Sequence, residues 1–251
     1  DDIFQTPLSG EGYSATGSVT GRFDKRKTWM LTNTAQFQYT FGEQHNVSAL
    51  AGQEQQRYTR RRFGINRTTL SDRDYTELQA GWVNNNPSGM DFGENYLLSV
   101  FGSINYNFDE KYYLTANIRQ DEHSALGEKK GTFWGASLGW EITKENFWQS
   151  SNLSNIFSSF KIRGSYGKVG NVGGVDDYAS YSLYESGLYG GSSSLYFDKV
   201  GNPVLRWETS KKTDLGFNFG LMDNRLTGEF AYYKNDIDNL ILRVDQAPST
   251  G

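Results

Sequence analysis

The sequence predicts an all-β protein, namely part of an antiparallel up-and-down transmembrane β-barrel. Apolar and polar residues alternate over several segments, and in some of them the alternation continues well past the roughly 5–6 residues of a mean strand. Aromatic residues make up 15% of the 251 residues and prolines number only 4, which suits long, continuous strands. The two longest predicted loops also fall on one side of the predicted sheet, as they do in bacterial outer-membrane barrels.

Composition and charge exclude several other classes of protein. The formal charge of −4, from 25 basic and 29 acidic residues, gives no electrostatic reason to expect nucleic acid as a partner. The chain has no cysteine, which rules out disulfides and thiolate metal sites within it. A mean hydropathy of −0.66 and the lack of an apolar run of about 18 residues exclude a transmembrane helix, but they remain compatible with strands that bury every second side chain in lipid.

Both ends of the sequence resemble cuts in a longer protein. It starts at Asp1 with neither a methionine nor the apolar region of a signal peptide, and it finishes in a Pro-Ser-Thr-Gly stretch typical of a loop. We therefore expect residues 1–251 to be one part of a larger domain.

The clearest element is a hairpin from Tyr96 to Asp121, with a turn at Asp109–Lys111. In both arms the even-numbered residues are mostly apolar and most odd-numbered residues are polar. Each arm is long enough for a tilted strand to cross a bilayer, which takes about 9–11 residues. We therefore predict that the even face contacts lipid and that the odd face lines a wet lumen. The predicted lumen-facing residues are Asn105, Asn107, Asn117, Arg119 and Asp121.

The residues ahead of this hairpin predict shorter strands and one long loop. Tyr13–Phe23 and Thr28–Phe41 alternate, and the charged residues 24–27 between them predict a turn. After a second turn, a weaker strand is predicted from His45 to Tyr58. The alternation then disappears between residues 59 and 94, where runs of arginine and asparagine predict a long loop. Loops of this length are usually functional or disordered.

The second half of the chain continues the pattern of strands. Alternation predicts them at Trp134–Ile142, Phe160–Tyr166, Thr213–Phe219 and Leu226–Tyr233. The connector at 143–158 is expected to hold one helical turn. A second long loop, rich in glycine, serine and tyrosine, is predicted from 170 to 206, with room for short strands inside it.

The connections between strands make the two ends of the predicted sheet different from each other. They fall alternately on two sides, and the side with both long loops is predicted to face the cell exterior, because bacterial barrels have short periplasmic turns. Aromatic residues gather at the short-turn ends and predict a girdle at that membrane surface, although aromatic residues also favour strands in general. The girdle residues are Tyr39, Phe41, Tyr106, Phe108, Tyr112 and Phe219.

Residue patterns typical of catalysis are absent from the sequence. It has two histidines, His45 and His123, and contains no nucleophile elbow, phosphate-binding loop or HExxH motif. Acidic and basic residues on the polar faces are too widely spread to form a catalytic pair. We therefore predict no enzyme activity, no metal site and no cofactor.

Aromatic residues in the two long loops are the candidate substrate-binding groups, because loops on a rigid scaffold often bind ligands. Flat rings stack on sugars or pack against a protein partner, and the alternative is that these rings hold the loops together. The candidates are Trp82, Tyr178, Tyr181 and Tyr184.

A soluble β-sandwich that binds carbohydrate or mediates adhesion is the alternative architecture, since its strands also alternate between apolar and polar residues. The length of the predicted strands argues against it. Their number argues the same way, because a meander of about nine long strands normally curls or closes on itself.

Several blocks of sequence between Tyr96 and Leu242 together resemble a known family. The block Tyr106–Asp121 reads YNFDEKYYLTANIRQD. The blocks that follow it are Gly131–Ile142, Lys161–Asn171, Asn202–Thr209 and Asn224–Tyr233. In this order they resemble the barrel of the SusC-like TonB-dependent outer-membrane transporters. The segment His123–Leu126 departs from the family's usual Ser/Arg at that point, and the first third of the chain fits only by pattern.

This resemblance implies a 22-stranded barrel with an N-terminal plug, of which residues 1–251 would be a middle part without the plug and the last strands. It implies import of a large nutrient, an oligosaccharide or an oligopeptide, across the cell outer membrane. It also implies a SusD-like lipoprotein over the outer mouth, outer-membrane lipid around the barrel, and energy from the TonB complex through the missing N-terminal part. The loops at 59–94 and 170–206 would then face the substrate and the lipoprotein.

Overall fold

A computed structural model of the chain describes residues 2–5, 16–71, 77–79 and 81–242, and of residues 2–5 and 88–90 it describes the backbone alone. Strands dominate these residues and confirm the predicted all-β class. In chain order they are β1 (Asp2–Gln5), β2 (Ser18–Phe41), β3 (His45–Leu70), β4 (Trp82–Phe108), β5 (Tyr112–His123), β6 (Lys130–Glu141), β7 (Phe157–Asn171), β8 (Leu183–Tyr189), β9 (Ser192–Lys199), β10 (Glu208–Leu221) and β11 (Leu226–Asp238).

Helical structure in the described residues is confined to the connector between β6 and β7. Ile142–Lys144 and Asn152–Asn155 form 3-10 turns, and α1 (Asn146–Gln149) is a single α-helical turn between them. This confirms the helical turn predicted for the 143–158 connector. Within the described ranges, no helix is long and apolar enough to cross a membrane.

The strands form one large sheet and one small one. The large sheet has nine strands in the order β1-β2-β3-β4-β5-β6-β7-β10-β11, and β8 and β9 form a separate two-stranded sheet. Neighbouring strands run antiparallel. Apart from the inserted β8–β9 hairpin, each strand pairs with its neighbours in sequence, which confirms the predicted up-and-down arrangement.

The chain divides into two compact units. The first consists of residues 1–29 and 56–95 and the second of residues 30–55 and 96–251, so that β2, β3 and β4 contribute to both. In the first unit, β1 pairs with the beginning of β2. A small core in this unit is formed by Val19, Trp82, Leu70 and Leu78.

In the second unit, the strand register brings apolar residues together on one face. Leu114 pairs with Leu138 and Phe217 pairs with Phe230 across neighbouring strands. Leu114, Leu138 and Phe230 are exposed, Leu138 by 64% and Phe230 by 58%, and Phe217 is half-buried. A soluble β-sandwich covers such a face with a second sheet, whereas the described residues leave it uncovered.

The turn predicted at residues 24–27 is wrong, because β2 runs through these residues without a break. The Asp24 carboxylate accepts hydrogen bonds of 2.9 Å from the Nη2 atoms of Arg26 and of Arg60, the latter on β3. Opposite charges on neighbouring strands stabilise a sheet, so a charged run is as compatible with a strand as with a turn. Residues 13–15 of the predicted first strand lie outside the described residues.

The long loop predicted at 59–94 is also wrong. Strands β3 and β4 extend far into it and leave residues 71–81 as the connection. The ion pair between Arg57 and Glu94, at 2.7 Å, is one of the contacts between the two extended strands. Alternation reveals a strand only when one of its faces is apolar. Polar side chains occupy both faces here, so the backbone pairing left no such signal in the sequence.

The second predicted loop, at 170–206, is confirmed, together with the short strands inside it. Strands β8 and β9 form a hairpin within it. Its two turn residues are Gly190, with φ of 56°, and Gly191, with φ of 85°. Glycine adopts such positive φ values without steric cost, which explains why the turn lies at this pair.

Candidate functional site

The predicted lumen-facing residues share the face of the sheet opposite to the apolar one. On β4 and β5, Phe101 pairs with Arg119 and Ser99 pairs with Asp121. Successive side chains of a strand point to opposite faces, so the odd-numbered residues of both strands lie together. The predicted residues on this face are Asn105, Asn107, Asn117, Arg119 and Asp121. That the face lines a lumen stays a prediction.

Arg119 is the centre of a hydrogen-bond network on this polar face. Its Nε donates to Asp121 Oδ1 at 2.6 Å, and its Nη2 donates to Ser99 Oγ at 2.7 Å and to Glu54 Oε1 at 3.2 Å. The guanidinium also lies 5.4 Å from the centre of the Phe101 ring. Its planar fork of donors is suited to holding two carboxylates at once. One residue therefore fixes polar side chains from β3, β4 and β5.

Asn105 joins the same three strands nearer to the short turns. Its Nδ2 donates to Ser48 Oγ on β3 at 3.2 Å, and its Oδ1 accepts a hydrogen bond from Thr115 Oγ1 on β5 at 2.9 Å. The amide thus has both a donor and an acceptor role and satisfies polar groups on each side. It gives this part of the face fixed polar groups without net charge.

A second ionic cluster lies on β7, β10 and β11. Arg163 pairs with Glu229 and lies 3.8 Å from Asp214, while Lys161 Nζ lies 3.9 Å from the centre of the Tyr113 ring on β5. The cations in this cluster contact carboxylates or an aromatic face, which lowers their electrostatic energy. Such internally paired charges suit a hydrated wall better than an acid–base catalytic centre.

A row of aromatic rings follows the short-turn ends of the strands. Its ring centres are 4.6 Å apart between Phe41 and His45, 4.8 Å between His45 and Phe108, 6.2 Å between Phe108 and Tyr112, and 6.3 Å between Tyr112 and Trp140. We call these five residues the aromatic belt. Three of them were predicted for the girdle, whereas His45 and Trp140 were missed because their ring contacts cross between strands.

Glu145, in the connector after β6, anchors the aromatic belt. Its Oε1 accepts hydrogen bonds from Tyr112 OH at 2.5 Å and from Trp140 Nε1 at 3.0 Å. These two bonds, with that of Tyr112 the stronger influence, lower the pKa of the Glu145 carboxyl. Tyrosine and tryptophan rings with one polar end held in this way are suited to a boundary between lipid and water.

At the long-loop ends of the strands in the second unit, two connections pack together. Leu126, Phe133 and Trp207 form a buried cluster. Trp207 Nε1 also donates a hydrogen bond of 2.8 Å to the carbonyl of Lys129, which links the two connections. The alternation of residues did not predict this cluster, and its one local signal is the apolar Leu126 within a mostly polar connection.

The four predicted substrate-binding aromatic residues lie in different settings. Trp82 was predicted to lie in a loop, and this is wrong, because Trp82 is the first residue of β4. Only 6% of its surface is exposed, and its Nε1 donates a hydrogen bond of 2.9 Å to the Glu77 carbonyl. Tyr178 is half-buried ahead of β8. Tyr181 is 53% exposed, and Tyr184, on β8, is 66% exposed. Substrate contact by these residues stays a prediction.

An up-and-down sheet with one exposed apolar face fits a membrane barrel, and comparison with known proteins decides the family. The family model described as "TonB dependent receptor-like, beta-barrel" matches residues 3–251. The chain belongs to this family. The sheet is therefore part of a transmembrane TonB-dependent receptor barrel, and it is not closed within the described residues. The soluble β-sandwich alternative is wrong.

Curated relatives carry the same family name. TonB-dependent receptor P39 of Formosa agariphila is 31% identical over 242 residues, which cover 94% of this chain and 23% of the relative. TonB-dependent receptor SusC of Bacteroides thetaiotaomicron is 32% identical over 156 residues, 59% of this chain and 15% of the relative. The chain thus spans about a quarter of the length of P39. These matches confirm the resemblance to SusC-like proteins, and at the family level they support a receptor rather than an enzyme.

Solved structures of a RagAB peptide transporter share the fold. One matches with a TM-score of 0.81 at 24% identity, over 93% of this chain and 26% of that chain. The RagAB peptide importer in an open-open state matches with a TM-score of 0.78 at 25% identity over the same shares. This likeness confirms the TonB-dependent receptor barrel fold for nearly the whole chain.

Proposed function

We propose that the full-length protein imports a large nutrient, an oligosaccharide or an oligopeptide, across the cell outer membrane with energy from the TonB complex. Residues 1–251 form part of the barrel wall and its exterior segments, while the plug and the last strands lie outside this range. The observation that carries the proposal is the contrast between the two faces of the sheet in the second unit. One face is apolar and exposed, and the other is polar and ionic.

Lipid on one side and water on the other account for that contrast. Leu138 and Phe230 expose more than half of their surface on the apolar face, where contact with lipid removes it from water. Arg119 and Asp121 on the polar face are hydrogen-bonded to each other and would be costly to place in lipid. A soluble monomer rarely exposes so extensive an apolar surface.

The connections support an orientation in the membrane. The hairpin turns at 42–44, 109–111 and 222–225 are short and share one side of the sheet with the connector at 142–156, whereas the connections at 71–81 and 172–207 lie on the other side. Barrels of bacterial outer membranes have their short turns in the periplasm. We therefore assign the aromatic belt to the periplasmic membrane surface and the far ends of β2, β3 and β4 to the cell exterior.

The similar proteins support the substrate and partner classes. The matching solved structures are of a RagAB peptide transporter, and this likeness supports oligopeptides, one of the two proposed substrate classes. Similarity to SusC supports a SusD-like lipoprotein at the outer mouth. The TonB complex acts through parts of the protein beyond residues 1–251, and outer-membrane lipid surrounds the wall. Tyr181 and Tyr184 are the exposed candidates for contact with the substrate or the lipoprotein.

Nutrient uptake by a deletion strain tests this function. The strain should lose growth on peptides or on oligosaccharides, while its growth on the corresponding monomers is unchanged. Loss of TonB should reproduce the defect, and the full-length gene should restore growth in the deletion strain. Unchanged uptake of both polymer classes would contradict the proposal, as would recovery of the full-length protein in the soluble periplasmic fraction.

A further inference from the structure

The first unit carries a cleft on β2, β3 and β4 that the proposed transport path does not use. Its volume is about 1060 Å³. Its lining includes five cationic side chains and a single carboxylate, that of Asp91, together with four aromatic rings. The chain as a whole has a formal charge of −4. The excess of positive charge is therefore a local property of this cleft.

Three of the five cations in the cleft have no acidic partner among the residues that the structure describes. Arg57 pairs with Glu94 at 2.7 Å, and Arg62 pairs with Asp91. The other three make no ion pair with any residue that the structure describes. These unpaired cations are Lys25, Lys27 and Arg61. All three side chains are exposed, so their charges are available to an anion from outside.

Aromatic rings lie beside these cations. Phe23 and Phe63 contact each other across the β2–β3 pair, with ring centres 5.0 Å apart, and the Arg61 guanidinium lies 5.5 Å from the centre of the Phe92 ring. Trp29 is 55% exposed. Proteins place exposed rings at the level of lipid headgroups and place cations where they meet anionic headgroups. The cleft combines both.

Distance along β2 assigns this cleft to the outer surface of the bilayer in the proposed orientation. Alternate side chains of a strand share a face, so on β2 the cleft residues Lys25, Lys27 and Trp29 lie on the same face as Phe23. Counted from the short turn after Phe41, a tilted strand crosses the hydrocarbon in about 9–11 residues. That length ends between Leu31 and Asn33, so Trp29 and the two lysines lie beyond the hydrocarbon, at the level of the headgroups.

We propose that the cleft binds the phosphate groups of the phosphorylated glycolipid in the outer leaflet. Lys25, Lys27 and Arg61 contact the phosphates, while the rings of Trp29 and Phe63 pack against the sugars. This inference rests on the proposed outer-membrane orientation. A phosphorylated glycolipid is the anionic surface that adjoins the outer face of the barrel at this height, and its charge complements the unpaired cations.

Binding of lipid A to the purified full-length protein tests the inference by native mass spectrometry. The variant Lys25→Gln/Lys27→Gln/Arg61→Gln should bind lipid A about 100-fold more weakly, since each cation near a surface adds about fivefold in affinity for anionic headgroups. Wild-type protein should bind dephosphorylated lipid A as weakly as this variant binds lipid A. The control variant Lys129→Gln/Lys212→Gln/Arg225→Gln, which removes the same charge outside the cleft, should bind lipid A like the wild type.

Equal affinity of the cleft variant and the wild type for lipid A would overturn the inference. Equal affinity of the wild type for lipid A and its dephosphorylated form would also overturn it, as would competition by inorganic phosphate as strong as that by lipid A. Heat-modifiable electrophoresis verifies that each variant is folded.

Leu188→Cys, at the tip of the β8–β9 hairpin, tests the orientation separately. Failure of an impermeant maleimide to label it on intact cells contradicts the orientation, whereas labelling with unchanged lipid binding contradicts the inference alone.

Discussion

Arg119 and Asp121 lie two residues apart on β5, and Arg119 Nε donates a hydrogen bond of 2.6 Å to Asp121 Oδ1. The spacing puts both side chains on the polar face. Asp121 is buried, with 8% of its surface exposed, and the same guanidinium also holds Glu54 on β3. This arginine therefore neutralises two carboxylates that belong to different strands of the wall.

Arg119→Met should destabilise the full-length barrel by about 1–3 kcal/mol. The substitution leaves the buried carboxylate of Asp121 without its charge partner, and the partial exposure of the arginine reduces the cost below that of a fully buried pair. The temperature at which the protein loses heat-modifiable migration measures the effect. The double variant Arg119→Met/Asp121→Asn should recover part of the loss. A single variant as stable as the wild type would show that the pair contributes nothing.

Ile104→Arg should impair assembly into the outer membrane, whereas Ser103→Arg should be tolerated. Ile104 pairs with Ala116 on the apolar face, and Ser103 pairs with Asn117 on the polar face. Arginine near the bilayer midplane costs about 2–4 kcal/mol on a lipid-facing position. The amount of heat-modifiable protein in outer-membrane fractions compares the two variants. Equal assembly of both would contradict the assignment of the faces.

Gly127→Ala should separate the two connections that pack around Trp207. The Gly127 amide donates to the Leu205 carbonyl at 3.0 Å, and an added Cβ would lie 1.8 Å from the Pro203 carbonyl oxygen. Protease cleavage within residues 200–207 should become faster in the folded full-length protein. Gly102→Ala is the matched control, because its added Cβ would come no closer than 3.4 Å to another atom, the Leu50 carbonyl oxygen. Unchanged cleavage of the Gly127→Ala variant would contradict the prediction, because it would mean that the two connections remain packed together.

Asp24→Asn should expose the charged part of β2 to protease in a pH-dependent manner. Hydrogen bonds from Arg26 and then Arg60 lower the pKa of the Asp24 carboxyl to about 2. A depressed pKa means that the stabilisation is fully present above the ordinary value of 3.8 and is lost as the pH falls through about 2. Pepsin should therefore cleave the variant faster than the wild type at pH 4, and this difference should disappear near pH 2. A difference that persists unchanged at pH 2 would contradict the assigned pKa.

Sequence alone predicted the strands that have one apolar face. On β5, Leu114 and Ile118 alternate with Asn117 and Arg119, and the predicted strand ends two residues short of the observed one at His123. The parts of β3 and β4 within residues 59–94 were missed for the same physical reason. Both faces are polar there, so strand pairing is recorded in cross-strand ion pairs and not in periodicity.

The other features that the sequence did not predict are contacts between residues far apart in the chain. Leu126 joins Trp207 in a buried cluster, and Phe23 meets Phe63 in the cationic cleft, although neither pair is adjacent in sequence. Periodicity describes each strand separately and carries no information about such partners. Trp82 shows the same limit, because its burial depends on packing with Val19 and cannot be inferred from its own neighbours.

In the proposed function, one face of this sheet meets lipid and the other meets water. The chain has no cysteine, so single cysteines introduced at positions 113–118 of the full-length protein can carry a nitroxide label. In a bilayer, collision of the label with oxygen should be highest at 114, 116 and 118, and collision with a water-soluble nickel complex should be highest at 113, 115 and 117. A profile without this period of two, or one of opposite phase, would contradict the account.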